Sequence, residues 1–255
     1  MAFTVHAVMP GVWHIVDCMG VCMTLLEGEN AAMLVDTGYG IEDVADFMRH
    51  MTDLPLTVFL THNHHDHAMG ARCFPETYML EADMADWRMF TDDKMRRRVL
   101  TQAIGKNLPV DEKTFLAGEI PLPKVMKPGV IDLGGLTAEI IEAPGHTPGS
   151  AVVYVPERKL LLSGDDWNPC TWLFFPQALG LREYRSNMRG IQQLPFEKVL
   201  CPHREALYDF FNALTDGNLR AAEPVNIAPY EQIDTCQATL PHDQVFVFDW
   251  AKSGL

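Results

Sequence analysis

A chain of 255 residues, 47% hydrophobic and 21% charged, can bury a large core without cross-links, and its six scattered cysteines, with no Cys-x-x-Cys pair, suggest neither a disulfide framework nor a thiolate zinc knuckle. A formal net charge of −14 opposes binding to phosphate backbones, and the only basic cluster, Arg96-Arg97-Arg98, stands beside Asp92 and Asp93. No run approaches the ~18 apolar residues that span a bilayer, and the first six residues lack a basic segment followed by an apolar one, so the expectation is a cytoplasmic protein with no membrane or nucleic-acid partner and a small-molecule substrate.

In chain order, short strands are expected at Val12–Val16, Val21–Leu26 and Ala31–Val35, separated by Pro10-Gly11, Met19-Gly20 and Gly28-Glu29-Asn30, an antiparallel meander. Val35-Asp36-Thr37-Gly38-Tyr39-Gly40 ends a strand, and apolar residues at 41, 44, 45, 47, 48 and 51 predict a helix over Ile41–Met51. Leu56–Leu60 is a buried strand, Ala68–Cys73 a short helix and Thr77–Leu80 another strand. Residues 81–127 have the character of a mostly helical insertion, with Met84, Trp87, Met89, Phe90, Met95 and Val99 as packing or lid residues, broken up by Pro109, Pro121 and Pro123. Strands follow at Val130–Leu133, Leu136–Glu142, Ser150–Val155 and Lys159–Ser163. Then come a helix over Arg182–Leu194, a strand at Lys198–Cys201 and a helix over Arg204–Leu214. Asp216–His242 is polar and irregular, and Gln244–Phe248 closes the chain as an edge strand that offers a route to a homodimer. The order strands, helix, strands, helix occurs twice. It predicts an α/β (α+β) chain folded as one domain over 1–255, a four-layer αββα sandwich with an insertion at 81–127 and a C-terminal extension at 216–255.

The stretch Thr61-His62-Asn63-His64-His65-Asp66-His67 concentrates four of the chain's ten histidines. Side chains alternate along an extended chain, so His62 and His64 point one way from the strand end while Asp66 and His67 turn back toward them. Imidazoles with a carboxylate suit zinc and its first-row neighbours. Three more strand ends carry donors: His146 within Ala143-Pro144-Gly145-His146-Thr147-Pro148-Gly149-Ser150, Asp165 after Leu161-Leu162-Ser163-Gly164, and His203 after Val199-Leu200-Cys201-Pro202. By the same extended geometry His65 points away from the cage. His6, His14, His50 and His242 have no partners in sequence and are expected to be structural or surface residues.

On Val35-Asp36-Thr37-Gly38, the His62/His64/Asp66/His67 signature, His146 in Gly-His-Thr-Pro-Gly-Ser, Asp165 in Ser-Gly-Asp, and His203, the chain resembles the metallo-β-lactamase superfamily of binuclear metallohydrolases over roughly residues 10–215. The resemblance implies an αββα sandwich with metals at one edge of the two sheets. It further implies His62, His64 and His146 on one metal, Asp66, His67 and His203 on the other, Asp165 bridging both, and Asp36 orienting the ligand loop from behind. Cys201-Pro202-His203-Arg204 departs from the family's usual Gly-His-Gly type turn. Two divalent cations, zinc with iron or manganese as alternatives, would generate a bridging hydroxide that attacks a carbonyl, with Asp66 as the catalytic residue orienting it and relaying a proton. Such chemistry hydrolyses a carboxylic ester, thioester, lactone or amide. The expected substrate wall follows the bridging acid: Trp167, Asn168, Trp172 and Phe174, with Tyr184 and Arg185 in reach.

Among family activities, glyoxalase II enzymes and persulfide dioxygenases carry a Gly-Cys-Gly-Arg type segment where this chain has Trp-Asn-Pro-Cys-Thr-Trp, which disfavours a glutathione thioester. Class B β-lactamases are exported and most lack the bridging carboxylate. Flavodiiron proteins have a glutamate for the second histidine, and ribonuclease Z relatives need a basic arm. Lactonase or esterase chemistry survives this elimination. The alternatives are a mononuclear iron dioxygenase, a class B-like β-lactamase, or a metal-binding protein whose altered Cys201–Arg204 turn has cost it catalysis.

Overall fold

The protein is described from a computed structural model covering residues 3–209 and 214–255. The first sheet runs in chain order through seven strands: β1 (Thr4–Met9), β2 (Val12–Val16), β3 (Cys22–Glu27), β4 (Ala32–Val35), β5 (Leu56–Phe59), β6 (Tyr78–Met79) and β7 (Lys124–Val125). Its opening four strands are an antiparallel meander, and from β4 to β7 the pairing is parallel. The second sheet contains β8 (Gly129–Asp132), β9 (Thr137–Glu142), β10 (Ala151–Val155), β11 (Leu160–Leu162), β13 (Lys198–Cys201) and β14 (Arg204–Tyr208). A third sheet joins β12 (Cys170–Leu173), β15 (Glu223–Pro224), β16 (Thr235–Thr239) and β17 (Val245–Asp249) in the order β12-β17-β16-β15.

Alternation along the strands builds the layers. In β4, Met33 and Val35 face the second sheet while Ala32 and Leu34 face outward; in β10, Ala151, Val153 and Val155 face the first sheet while Val152 and Tyr154 face outward. Both faces of these strands are buried, so they are continuous apolar runs. Helix α1 (Val44–Met51), N-capped by Asp43, covers the outer face of the first sheet with Val44, Ala45 and Met48. Helix α6 (Leu181–Ile191) covers that of the second with Leu181, Tyr184, Met188 and Ile191, at i, i+3, i+7 and i+10, and the third sheet joins the same layer through Phe246 and Phe248. The result is a four-layer αββα sandwich.

Between β6 and β7 the chain makes α3 (Trp87–Thr91), α4 (Asp93–Gly105) and α5 (Glu112–Phe115). Trp87, Val99, Leu100, Ala103 and Phe115 pack with Leu60, Met69 and Met79, so these helices have an apolar centre continuous with the sandwich edge. Among the described residues the remaining α-helices are α2 (His65–Ala68) and α7 (Asp216–Arg220). No helix among the described residues is long and apolar enough to cross a membrane.

Several expectations fail. Strand β1 precedes the first predicted strand and pairs with β2. The helix expected over Arg204–Leu214 is, in its first part, strand β14, with Cys201 opposite Arg204 and Val199 opposite Tyr208; residues 210–213 lie outside the described residues. Only Pro202 and His203 separate the two strands, and a hairpin that buries Tyr208 outweighs the helical spacing of Arg204-Glu205-Ala206-Leu207. The region 216–242 is not wholly irregular, since it holds α7, β15 and β16. Nor is the closing strand an edge: β17 lies between β12, to which it is parallel, and β16, to which it is antiparallel.

Candidate metal centre

Strands β5, β9, β11 and β13 all run toward the same edge of the sandwich, and the loops leaving them carry His62 and His64, His146, Asp165 and His203 respectively. His64 is the last extended residue before α2 begins, so His62 and His64 share a direction while Asp66 and His67 are brought round on the first helical turn. Pro202 is fixed by the Cys22 N–H, which donates to its carbonyl at 2.7 Å; the unusual turn therefore still presents His203 to the cluster.

The donors converge in three overlapping groups, His62/His64/His146, His62/His67/Asp165 and Asp66/His67/His203, within each of which the ligand atoms lie within 4.8 Å of one another. His146 Nε2 is 2.9 Å from His64 Nδ1. Asp165 Oδ2 lies 3.1 Å from His203 Nε2, 3.5 Å from His67 Nε2 and 3.6 Å from His146 Nε2, a central position between the two halves of the cluster. Asp66 Oδ2 is 3.6 Å from His67 Nε2 and 3.7 Å from His203 Nε2.

The other nitrogen of most of these rings is tethered, which fixes the ring and aims its free nitrogen inward. His146 Nδ1 is 2.6 Å from the Trp172 carbonyl, His67 Nδ1 3.1 Å from Asp36 Oδ2, His62 Nδ1 3.1 Å from Thr61 Oγ1, and His64 Nε2 2.8 Å from the Gln177 carboxamide. Asp36, at a positive φ of 66° that carboxylate and amide residues tolerate best, also accepts the Thr61 N–H at 2.7 Å and the Thr61 hydroxyl at 2.9 Å. Thr37, beside it, donates from both backbone and side chain to the His67 carbonyl, each at 2.8 Å.

A cation fits this donor set. His62 Nε2, His67 Nε2 and Asp165 Oδ1 are buried without a hydrogen-bond partner, a costly arrangement for polar atoms unless something else satisfies them. Burial, reinforced by the neighbouring imidazoles, pushes His62 and His64 well below the usual histidine range, and burial also lowers His146, leaving the neutral rings with lone pairs that metals require. For His67 and His203 burial acts downward but the Asp165 and Asp66 carboxylates outweigh it and raise them. Asp66 is held at about 2: burial would raise it, but the surrounding His67, His65 and His203 lower it more, and the same kind of imidazole contacts hold Asp165 well below the carboxylate range.

Before these donors opens a cleft of about 480 Å³. Asn168 and Trp172 line it, as do Tyr39, Phe90, Arg98, Phe175 and Tyr230. The other expected wall residues do not. Trp167 and Tyr184, 2% and 1% exposed, pack in the layer outside the second sheet, Phe174, 0% exposed, lies behind the wall against the rings of Trp172, Phe175 and Tyr230, and Arg185 pairs with Asp216 at 2.7 Å. Strand β12 explains the division, because alternation sends Thr171 and Leu173 inward and Trp172 to the cleft; Tyr184 belongs to the buried face of α6. His65 is a second correction. Its ring lies at the cleft and meets Tyr39 edge-on at 5.6 Å, because the extended geometry ends at His64 and the helix turns His65 the other way. It belongs to none of the three donor groups. Away from the site, His14 is buried between Thr24 Oγ1 and the Arg204 carbonyl, His6 pairs with Glu205, and His50 ends α1.

Asp83 went unnoticed in the sequence. Its buried carboxylate accepts the Asn63 N–H at 3.1 Å, the Gly149 N–H at 2.6 Å and the Thr147 hydroxyl at 2.7 Å, joining the His62–His64 loop to the His146 loop. Gly149 permits the approach: a Cβ there would stand 2.6 Å from the Asp83 nitrogen. Asp83 stands within the insertion, 64 residues before Thr147, and only the Gly spacing of the His146 loop hinted at a close neighbour.

Fold and site define a metal-binding αββα protein with histidine and aspartate donors at one sheet edge. A family profile described as the metallo-beta-lactamase superfamily matches residues 16–203, and the chain belongs to that superfamily. Acyl-coenzyme A thioesterase MBLAC2 of Gallus gallus is 26% identical over 168 residues, 58% of this chain and 59% of the relative. A hydroxyacylglutathione hydrolase of Synechococcus sp. is 26% identical over 189 residues, 72% of this chain and 62% of the relative. The chain thus spans about three fifths of these curated relatives, both of them hydrolases by name. Among solved structures, a metallo-beta-lactamase from Pontibacter korlensis superposes with a TM-score of 0.57 at 18% identity, over 81% of this chain and 93% of that one. The stereoselective inverting sec-alkylsulfatase of Pseudomonas sp. does so with a TM-score of 0.60 at 14% identity, over 81% and 39%. These structures share the fold.

Proposed function

We propose that the chain is a hydrolase dependent on two divalent cations, zinc before iron or manganese, that cleaves a carboxylic ester, thioester, lactone or amide of a small molecule. The observation that carries this reading is the convergence of His62, His64, His146, Asp66, His67, His203 and the central Asp165 beneath an open cleft, with the buried Nε2 atoms of His62 and His67 lacking a hydrogen-bond partner among the described residues. His62, His64 and His146 would hold one cation, Asp66, His67 and His203 the other, and Asp165 both. Cations bound there supply Lewis acidity and bring the ionisation of water near neutral pH.

The chain's own groups do the remaining work. Asp66, held ionised at the cleft side of the cluster, is placed to accept a proton and to orient the attacking water. Asn168 keeps its Oδ1 on the Cys170 N–H at 2.8 Å, which leaves its amide N–H groups for a substrate oxygen. Burial raises the Tyr39 phenol above its ordinary range, so it stays protonated and able to donate. Trp172 and Phe175 exclude water from the flank of the reacting carbonyl. Thioesters stand first among the candidates because the name of the Gallus gallus relative specifies one.

Two measurements test the reading. Protein purified without added metal is expected to carry close to two zinc, manganese or iron ions per chain. A panel of chromogenic thioesters, esters and lactones with a cephalosporin, run with and without chelator, is expected to show chelator-sensitive turnover of one carbonyl class. A single iron per chain, with oxygen uptake on a persulfide and no hydrolysis, would replace this reading with a dioxygenase.

A further inference from the structure

Helix α4 shows one face to the cleft: Met95, Arg98 and Gln102, at i, i+3 and i+7. An adjoining face, Arg96, Val99, Leu100 and Ala103, is buried. Helical phase therefore sends three consecutive arginines three ways. Arg96 turns inside, where its guanidinium donates to the carbonyls of Phe115, Ala117 and Gly118. Arg97 faces outward and pairs with Asp93 at 3.1 Å. Arg98 opens on the cleft and makes no hydrogen bond or ion pair with any described residue.

Among the described residues lining the cleft, Arg98 is the only lysine or arginine, and its charge reaches Tyr39 and His65 beside the metal-ligand cluster. A guanidinium offers five donors in a fork that matches two oxygens of a carboxylate, phosphate or sulfonate, and Gln102, one turn along the same face, adds an amide. The wall also carries four aromatic rings, those of Phe90, Trp172, Phe175 and Tyr230. In a chain of net charge −14 an anion is repelled from most of the surface, so the one arginine on the cleft wall, outside the metal-ligand cluster, selects as well as binds.

We infer that the cleft takes an amphipathic substrate whose carbonyl lies at the metal-ligand cluster, whose apolar body lies on the aromatic wall, and whose terminal oxyanion group is seated on Arg98. The substrate class rests on the hydrolytic reading above; the anion seat is measurable without turnover. Two dyes share one aromatic frame, 1-anilinonaphthalene-8-sulfonate with an anionic group and N-phenyl-1-naphthylamine without it. Fluorescence titration of metal-loaded wild type, Arg98→Ala, Arg98→Lys and Arg97→Ala gives a Kd for each. In Arg98→Ala the preference for the sulfonate is expected to fall about tenfold, or ~1.4 kcal/mol. Arg98→Lys keeps part of it, since the charge remains and the fork is lost, and Arg97→Ala keeps all of it. An unchanged preference in Arg98→Ala overturns the seat.

The kinetic arm compares 4-nitrophenyl hexanoate with the mono-4-nitrophenyl ester of adipic acid and with the 6-phosphonooxyhexanoate ester. Wild type is expected to favour the anionic esters in kcat/KM, mainly through KM, with Arg98→Ala losing that preference; the two anionic esters separate carboxylate from phosphate. Equal loss on neutral and anionic esters overturns the substrate class. If no ester or thioester is cleaved by any protein while the dye preference still falls in Arg98→Ala, the hydrolytic reading fails and the anion seat stands.

Discussion

Replacing Asp83 with alanine should cost about 3 kcal/mol and loosen the metal centre. The side chain is 1% exposed, and its carboxylate accepts two backbone N–H groups, from Asn63 and Gly149, together with the Thr147 hydroxyl. The hydroxyl has an alternative in Ser150 Oγ at 2.9 Å, but the two backbone donors have none, and a buried donor left alone costs about 1–3 kcal/mol. Two of them give about 2–6 kcal/mol. Burial of the carboxylate, which raises its own pKa, offsets part of that and sets the expectation in the lower half of the range. Because Asp83 ties the His62–His64 loop to the His146 loop, metal affinity should fall too, by about 10–100-fold. Urea unfolding of metal-stripped protein reads the first effect, with the midpoint moving at constant slope. The gain in stability on adding zinc reads the second. Asp83→Asn, which keeps the volume and one acceptor, should fall between wild type and Asp83→Ala. A stripped Asp83→Ala protein within about 0.5 kcal/mol of wild type, or an unaltered zinc increment, would refute the clamp.

Three further expectations can be checked with the same preparations. Asp165→Ala should lower metal content as well as turnover, whereas His65→Ala, outside every donor group, should leave metal content nearly unchanged; elemental analysis giving the reverse order would mean the cage is wrongly assigned. Gly70→Ala should cost about 1–3 kcal/mol in thermal unfolding, because a Cβ there would lie 2.1 Å from the Thr37 carbonyl oxygen and push away the residue that holds His67; a wild-type melting temperature would show that the contact yields freely. Burial raises the Asp17 pKa, although its carboxylate accepts the N–H groups of Met19, Val21 and Tyr39. A folded-state value above the unfolded one, about 3.9, contributes stability that is complete below the unfolded value and is lost as pH rises through the folded one. The stability difference between wild type and Asp17→Asn should therefore shrink as pH rises above about 4, and growth in that direction would contradict the burial effect.

The sandwich was legible wherever a strand is buried on both faces. Stretches such as Ala32-Met33-Leu34-Val35 and Ala151-Val152-Val153-Tyr154-Val155 have no exposed face, so short apolar runs bounded by Gly and Pro identify them without knowledge of their neighbours. The failures are strands whose identity depends on the strand they pair with, near or far in sequence. Arg204–Tyr208 is mostly exposed and becomes a strand because β13 precedes it by two residues, and Thr235–Thr239 because β17 follows it across a short turn. Cys170–Leu173 pairs with a segment 75 residues away, Cys170 facing Val245. No local pattern carries that pairing.

The site divides the same way. Metal ligation restricts residue type, so the clustered His62, His64, Asp66 and His67 stood out as candidate donors, whereas His146, Asp165 and His203, single donors at strand ends, became legible only beside that cluster and through the family resemblance; the fold brings all seven together. Positioning groups escape such a filter, since Asp83 and Gln177 use side chains that also serve anywhere on a surface. Wall residues escape it for a further reason: whether Trp172 or its neighbours Thr171 and Leu173 face the cleft depends on the phase of β12, and whether Arg96, Arg97 or Arg98 does depends on the phase of α4. A one-residue change of phase moves a different side chain into the cleft. The ligands are held by the ends of the two central sheets, while Phe90, Arg98 and Gln102 come from the helices between β6 and β7, and Tyr230 from the segment between β15 and β16. Cleft-facing side chains on those helices and that segment can change while the strand ends that carry the donors stay the same. Likeness in the cage among members of this superfamily is consequently a weak guide to substrate, and the guide in this chain is the cation that α4 leaves unpaired.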